Sequence, residues 1–314
     1  MAVSNSLRAQ NNRPKFSVAI QTPMYQKLVN DTLGDKNRAA RFVAAITSAV
    51  AVNTDLQACD AGTILSGALL GESLGLSPSP QLGQYYLVPY NDKRRGKVAQ
   101  FQLGYKGYIQ LAERSGQYLD IDAFPVVEGE YKGRDRFTRR PILEFLEDDD
   151  ERENRPVVGY YAYFELVNGF RKVLYWSREK MLAHADRYSQ AFYAAGRQAQ
   201  DPRYSRVSYE DFLAGNYPEG DAWKYSSFWY KDFDGMACKT MLRQLISKWG
   251  IMSIDLQKAL ASDDAAIDTN GPSYLEAPEE ETPKAVEDGQ SGDPLPDLPD
   301  GMFGEDEGGQ TTLA

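Results

Sequence analysis

Residues 100–116 have the sequence QFQLGYKGYIQLAERSG, in which a strand pattern passes directly into a helix pattern. Apolar residues alternate with polar ones up to Leu103 and then recur at helical spacing from Tyr108. Residues 104–107, GYKG, stand between the two patterns. A glycine turn at the start of a helix can present backbone N–H groups and a cation to a phosphate. The stretch therefore predicts a strand–helix junction with a phosphate site at Lys106.

The sequence contains no nucleotide-binding loop, so nothing indicates that this phosphate belongs to a nucleotide. Neither G-x-x-x-x-G-K-[ST] nor G-x-G-x-x-G occurs. We therefore expect no nucleotide cofactor and a phosphate that belongs to a polymer. The alternative is a turn whose glycines serve only backbone geometry, with Lys106 solvated, because such short motifs often arise by chance.

The residues around GYKG are basic and aromatic. Eleven Lys or Arg lie between Lys93 and Arg140, interleaved with tyrosines such as Tyr105. Cations that follow a backbone, with aromatic rings that stack on bases, are typical of a sequence-tolerant groove for single strands. The alternative places the tyrosines in the core and the cations on a solvated rim. By charge alone, the candidate contacts are Arg95, Lys97 and Arg114.

Charge is distributed unevenly along the chain, whose net charge is −10. Residues 263–314 contain 15 Asp or Glu and one Lys, a balance of −14, and residues 1–262 contain 34 Lys or Arg and 30 Asp or Glu, a balance of +4. Few apolar residues and many acids, Pro and Gly predict a disordered acidic tail over residues 261–314. Such a tail can compete with DNA, recruit a partner, or serve only solubility.

The rest of the chain is predicted to consist of a flexible N-terminal arm, residues 1–34, with a short helix near residues 25–29, and a core, residues 35–260. Within the core, Asn168-Gly169 separates two alternating runs and favours a hairpin with a type I′ turn. Residues 226–250 carry a buried helical stripe. Residues 190–227 are predicted to form an irregular, ordered insertion.

Metal, thiol and membrane chemistry receive little support from the sequence. Cys59 and Cys238 lie in no CxxC or Cys/His cluster, and His184 is the only histidine, so we expect no zinc site. His184 is interpreted as a surface histidine, with a general-base role as the alternative. No apolar run approaches the ~20 residues that span a bilayer. With no signal-peptide pattern, we expect a cytoplasmic protein without a membrane partner.

A metal-dependent nuclease is the alternative function. Asp120 or Asp122, with Glu130 and Lys132, loosely matches the set in which two carboxylates bind a divalent ion and a lysine orients water. The spacing is short, and such sets arise easily in a charged chain. A non-enzymatic assembly protein is a third class.

Four motifs occur in order along residues 35–250: ILSGALLGESLGLSP at 64–78, LGQYYLVPY at 82–90, FQLGYKGYIQLAERSG at 101–116 and DFDGMACKTMLRQLISKWG at 232–250. Their order and spacing resemble the RecT-type phage single-strand annealing proteins. Cys238 departs from the small or basic residue expected before Lys239. The resemblance implies an α+β fold, with an antiparallel sheet flanked by helices.

The resemblance also implies a function without bond chemistry. It describes a protein that is not an enzyme, that binds single-stranded DNA without ATP and that pairs complementary strands in phage homologous recombination. It implies a homo-oligomer, as a ring or helical filament, in the cytoplasm of a bacterial host. The implied partners are single-stranded DNA, the annealed duplex, and a phage exonuclease or host single-strand-binding protein. No cofactor is implied, and magnesium dependence of annealing stays open.

Carried over residue by residue, the resemblance assigns backbone-phosphate contacts to Lys106 of the GYKG turn and to Lys239 and Arg243 of the CKTMLRQL helix. Tyr105 of the same turn is assigned to DNA binding with them.

Overall fold

The structure is a computed structural model that describes residues 14–92, 94–189 and 191–263, and the backbone of residues 265–268 and 271–274. These residues all lie in the first of two compact units, Met1–Pro283. The second unit, and with it most of the predicted acidic tail, lies outside the described residues.

Among the described residues, four α-helices precede the first strand: α1 (Phe16–Ala19), α2 (Pro23–Leu33), α3 (Lys36–Val52) and α4 (Ala61–Ser73). Local sequence sets their ends. The Asp35 carboxylate accepts a hydrogen bond from the Arg38 N–H and caps α3, and Asp60 caps α4 in the same way. Gly34 ends α2 in the left-handed conformation, with φ of 68°.

The first two helices belong to the packed core instead of to the predicted flexible arm. Phe16, Ile20 and Val29 are buried together with the apolar face of α3. The polar composition of this segment concealed the pattern, because only a few apolar side chains fix two short helices. Residues 1–13 lie outside the described part of the chain.

The part of the chain that the structure describes forms nine strands in three antiparallel sheets: β1 (Tyr85–Asp92), β2 (Gly96–Leu103), β3 (Tyr118–Val127), β4 (Tyr131–Arg134), β5 (Pro141–Leu143), β6 (Val157–Leu166), β7 (Arg171–Ser177), β8 (Ala265–Asp268) and β9 (Gly271–Tyr274). The strand orders are β1-β2-β8-β9, β3-β6-β7 and β4-β5. The pairing of Phe101 with Ala265 places β8 beside β2. Part of the segment predicted as a disordered tail is therefore strand.

The β6–β7 hairpin forms where Asn168-Gly169 predicts it, but with another turn type. Gly169, with φ of 82°, is the one residue of the turn with a positive φ. A type I′ turn requires positive φ at both central residues. The Gly169 N–H donates to the Leu166 carbonyl at 2.8 Å. The connection therefore matches a type I turn that ends in a left-handed glycine.

Seven further α-helices lie within the described ranges: α5 (Tyr105–Arg114), α6 (Asp149–Glu153), α7 (Arg178–Tyr188), α8 (Tyr209–Leu213), α9 (Phe228–Lys231), α10 (Phe233–Trp249) and α11 (Ile254–Ser262). Helix α10 packs across β3, β6 and β7. Its face of Ala237, Met241 and Leu245 is fully buried. Residues 191–227 fold around Phe192, whose ring lies 4.9 Å from that of Tyr230.

The predicted α+β class, with antiparallel sheets flanked by helices, is confirmed. Within the described residues, no helix combines the length and apolar character needed to cross a membrane.

Candidate nucleic-acid interface

The junction between β2 and α5 is built by a close approach of two backbone segments. The Gly104 N–H donates to the Gln84 carbonyl at 2.9 Å. A Cβ at Gly104 would overlap the Gly83 carbonyl oxygen, and a Cβ at Gly107 would overlap that of Gln84. Both glycines are therefore required by packing, which is the geometric role that the sequence left open.

Lys106 lies at the exposed start of α5. Among the described residues, its Nζ has no hydrogen bond or ion pair. The N–H groups of Tyr105 and Lys106, in the first turn, likewise have no acceptor in the described part of the chain. Helix N-termini favour anions, because these N–H groups and the helix dipole point outward. The turn therefore carries an exposed cation and two N–H groups that have no acceptor among the described residues.

Tyr105 is half-buried beside this turn. Burial chiefly raises the pKa of its hydroxyl, with smaller contributions from Cys238 and Asp122. The ring is thus partly held by the protein and partly accessible.

Lys239 and Arg243 converge on one buried carboxylate, that of Asp263. Lys239 Nζ lies 3.0 Å from Asp263 Oδ1, and an Arg243 terminal nitrogen lies 3.3 Å from Oδ2. The Tyr108 hydroxyl donates to Oδ2 at 3.0 Å, and the Leu103 N–H donates to Oδ1 at 2.8 Å. Four donors thus satisfy a carboxylate that is fully buried, as a buried charge requires. We call these five residues the Asp263 cluster.

The two cations of the Asp263 cluster differ in access to solvent. The Lys239 side chain is 8% exposed, whereas that of Arg243 is 40% exposed. They lie one turn apart on the same face of α10, with Lys239 at the buried part of that face and Arg243 nearer the surface. The resemblance assigned both to phosphate, and the sequence held no signal that an acid beyond α11 would meet them.

The three candidates chosen by charge alone all have protein partners. Arg114 donates to the Leu74 and Gly75 carbonyls at the C-terminus of α4, where cations are favourable. Lys97 Nζ lies 3.1 Å from Asp55 Oδ1. The Arg95 N–H donates to Asp92 Oδ1 at 2.8 Å, and its guanidinium lies 3.9 Å from that oxygen.

The structure does not bring the nuclease candidates together. Glu130 is fully buried and accepts from Arg152 Nε at 2.8 Å, while Lys132 pairs with Glu144 at 3.4 Å. Asp120 accepts from the Tyr163 hydroxyl at 2.6 Å. Asp122 lies in mid-strand, five residues and about 16 Å of strand rise from the end of β3, after which Glu130 follows.

Among the described residues, no group of three His, Cys, Asp or Glu side chains is placed to hold a metal ion. Cys59 and Cys238 are both buried free thiols, and burial raises the pKa of each to about 12.

His184 is half-buried instead of lying on the open surface. Its ring lies between those of Trp176, at 5.2 Å, and Tyr188, at 4.6 Å. Burial chiefly, with the positive charges of Arg243 and Lys180, lowers the pKa of His184 to about 4. The imidazole is therefore neutral at pH 7. These neighbours of His184 were not predicted from the sequence, although the i, i+4 spacing of Lys180, His184 and Tyr188 places the three side chains on one helical face.

Comparison with known proteins identifies the family. The model of the RecT family matches residues 40–283, from α3 to beyond β9. The chain is 33% identical over 276 residues to YqaK of Bacillus subtilis, with 84% of this chain and 81% of that protein covered. It is 25% identical over 276 residues to the protein RecT of Escherichia coli K12, with 84% and 88% covered. The match spans the β2–α5 junction and the Asp263 cluster alike, and the chain belongs to the RecT family.

Proposed function

We propose that this chain binds single-stranded DNA and anneals complementary strands without ATP, in phage homologous recombination. Membership of the RecT family supports recombination and strand annealing in general. The structural observation that supports the proposal is at the start of α5. There Lys106 is exposed, and two backbone N–H groups have no acceptor among the described residues. This arrangement fits a backbone phosphate of a polymer.

Annealing needs no bond to be made or broken in the strands. The protein must lower the repulsion between two phosphate chains while the base edges stay free, since base pairing itself supplies sequence recognition. Lysine and arginine contacts to phosphates supply affinity that does not depend on sequence. Lys106 and the exposed part of Arg243 are the direct contacts in this proposal, and Tyr105 offers a ring for stacking.

The other candidates enter the proposal with supporting roles. Lys239, buried against Asp263, holds α10 to β2 and fixes the position of Arg243. Arg95 and Lys97 would have to exchange aspartate for phosphate, and Arg114 would have to leave the end of α4. In each case a contact to phosphate would form only at the cost of an existing contact within the protein, so these three residues rank below Lys106.

The proposal includes an assembly. A homo-oligomeric ring or filament would repeat the Lys106 turn along a strand, so that weak contacts add. The annealed duplex is the product, no nucleotide is needed, and magnesium acts only by screening phosphates. A phage exonuclease or a host single-strand-binding protein in the bacterial cytoplasm would supply or release the single strand.

The deciding experiment measures annealing of two complementary fluorescent oligonucleotides without ATP, with magnesium present and strand length checked on a denaturing gel. We expect faster pairing with intact strands. Lys106→Ala should slow annealing and reduce the slope of log affinity against log salt by about 1, because one phosphate contact is lost. Arg243→Ala should act similarly.

The matched control is Lys27→Ala, which removes an exposed lysine of α2. It should leave both annealing and the salt slope unchanged. An unchanged slope in Lys106→Ala would remove Lys106 from the interface, and shortened strands would favour a nuclease.

A further inference from the structure

The β4–β5 hairpin ends in a tip of unusual composition. Residues 134–140 read RDRFTRR, with four arginines and one carboxylate around Phe137. The Phe137 side chain is 96% exposed. A single exposed apolar residue is ordinary on a protein surface. An exposed aromatic ring among four arginines combines the two features that polyanions with planar bases recognise.

The tip is held in one conformation by its own carboxylate. Asp135 Oδ1 accepts hydrogen bonds from the Phe137 N–H at 3.1 Å, the Thr138 N–H at 2.6 Å and the Thr138 hydroxyl at 2.8 Å. The Asp135 N–H donates to the Arg140 carbonyl at 2.9 Å. Arg139 adopts a positive φ of 59°. The one acid of the tip therefore organises its backbone. Because the loop is already ordered, little conformational entropy is lost when a ligand binds the Phe137 ring.

The base of the hairpin is fixed to the second sheet. The Tyr131 ring stacks on that of Tyr175 in β7, with centroids 4.2 Å apart and planes 6° apart. The Arg134 guanidinium donates to the Tyr175 carbonyl at 3.4 Å and to the Arg139 carbonyl at 3.1 Å. Arg134 thus braces the tip.

The remaining three arginines of the tip face solvent. Arg136, Arg139 and Arg140 are exposed, and none forms an ion pair within the described residues. The charge of Arg140 contributes to lowering the pKa of Asp135, after the hydrogen bonds from Thr138 and Phe137. The tip therefore presents three available positive charges around one ring. Proteins bind single strands chiefly through two interactions, the stacking of bases on aromatic side chains and the contacts of basic side chains with phosphates.

We propose that the β4–β5 tip is a second contact for single-stranded DNA, in which Phe137 stacks on a base and Arg136, Arg139 and Arg140 bind the flanking phosphates. This inference rests on the proposed function and adds a base contact to the phosphate contact at Lys106. A base stacked on Phe137 would be held unpaired until its complement arrives. An acidic protein segment is the other class of partner, but it offers few planar groups for the ring.

The test compares two ligands of equal length, oligo(dT) and an abasic strand with the same number of phosphates. Phe137→Ala should weaken binding to oligo(dT) about tenfold, because the stacking contribution is lost, and leave binding to the abasic strand unchanged. Arg136→Ala should weaken binding to both strands and reduce the salt slope. Trp223→Ala, which removes another exposed aromatic side chain, is the control and should change neither.

Thermal unfolding should be unchanged in Phe137→Ala, since the ring has almost no protein contacts. If wild-type protein binds and anneals DNA while Phe137→Ala keeps full affinity for oligo(dT), the hairpin inference fails and the proposed function stands. Equal weakening for both strands would also overturn the stacking role. If the wild type neither binds nor anneals, the proposed function itself fails. If Phe137→Ala loses the binding of a peptide of residues 284–314 that the wild type shows, while its affinity for DNA is intact, the tip would be assigned to an acidic protein segment.

Discussion

At the scale of single residues, Asp263 determines what the two cations of α10 can do. A buried carboxylate is costly unless donors surround it, and here two cations, a hydroxyl and a backbone N–H do so. Lys239 in turn is tolerated inside the protein because Asp263 neutralises it. The resemblance assigned Lys239 to a backbone phosphate, but its pairing with a residue 24 positions later accompanies its burial.

Replacing Asp263 by Asn should destabilise the fold by about 3 kcal/mol, because the buried Lys239 ammonium loses its counter-charge. Chemical denaturation with wild type as reference measures this free energy of unfolding. The double variant Asp263→Asn, Lys239→Met should be more stable than Asp263→Asn alone, since the orphaned charge is gone. Equal stability of the single and double variants would show that the pair is not coupled.

At the scale of elements, the sequence predicts the parts that depend on local pattern. The β2–α5 junction, the β6–β7 hairpin and the α10 helix form at the expected positions, because alternation and helical spacing are read within each segment. The pairing of β8 with β2 was not predictable from local pattern. β8 is a short strand in an acidic segment, and it forms by pairing with β2, which is distant in sequence. Helix α1 was missed because few apolar side chains fix it, whereas the short helix predicted near residues 25–29 lies within α2.

The α5 start offers a test at this scale. Gly107→Ala would place a Cβ against the Gln84 carbonyl, so one backbone segment must shift. We expect a loss of about 2 kcal/mol in the free energy of unfolding, in the range found for overpacked sites. Gly220→Ala is the matched control, since its Cβ meets open space, and it should be neutral. A neutral Gly107→Ala would show that the junction is looser than the structure describes.

At the scale of the whole molecule, opposite charges are separated along the chain. The mildly basic residues 1–262 and the acidic residues 263–314 were evident from the sequence. Composition could not show that the first acid of the second group, Asp263, is a core residue. It also could not separate Lys106 from Lys97 and Arg114, because partners such as Asp55 and the Leu74 carbonyl are brought near only by folding.

Removal of residues 284–314 should strengthen binding of single-stranded DNA at low salt, because that segment carries eight carboxylates and one lysine. The gain should disappear at high salt, where such repulsion is screened. Fluorescence anisotropy with a labelled oligonucleotide at several salt concentrations measures it. A chain ending at Ser262 is the contrast, since it also lacks Asp263 and β8 and should lose stability. Unchanged affinity at low salt would leave the acidic residues a role in solubility or partner recruitment.

The hydrogen bond from Leu103 to Asp263 joins residues 160 positions apart. A ribosome therefore makes β2 and α5 long before it makes Asp263, and it makes Lys239 24 positions before it. Until Asp263 emerges, a nascent chain holds Lys239 without its counter-charge and leaves the far edge of β2 unpaired. Closure of the first sheet therefore waits for residues that are made after α10.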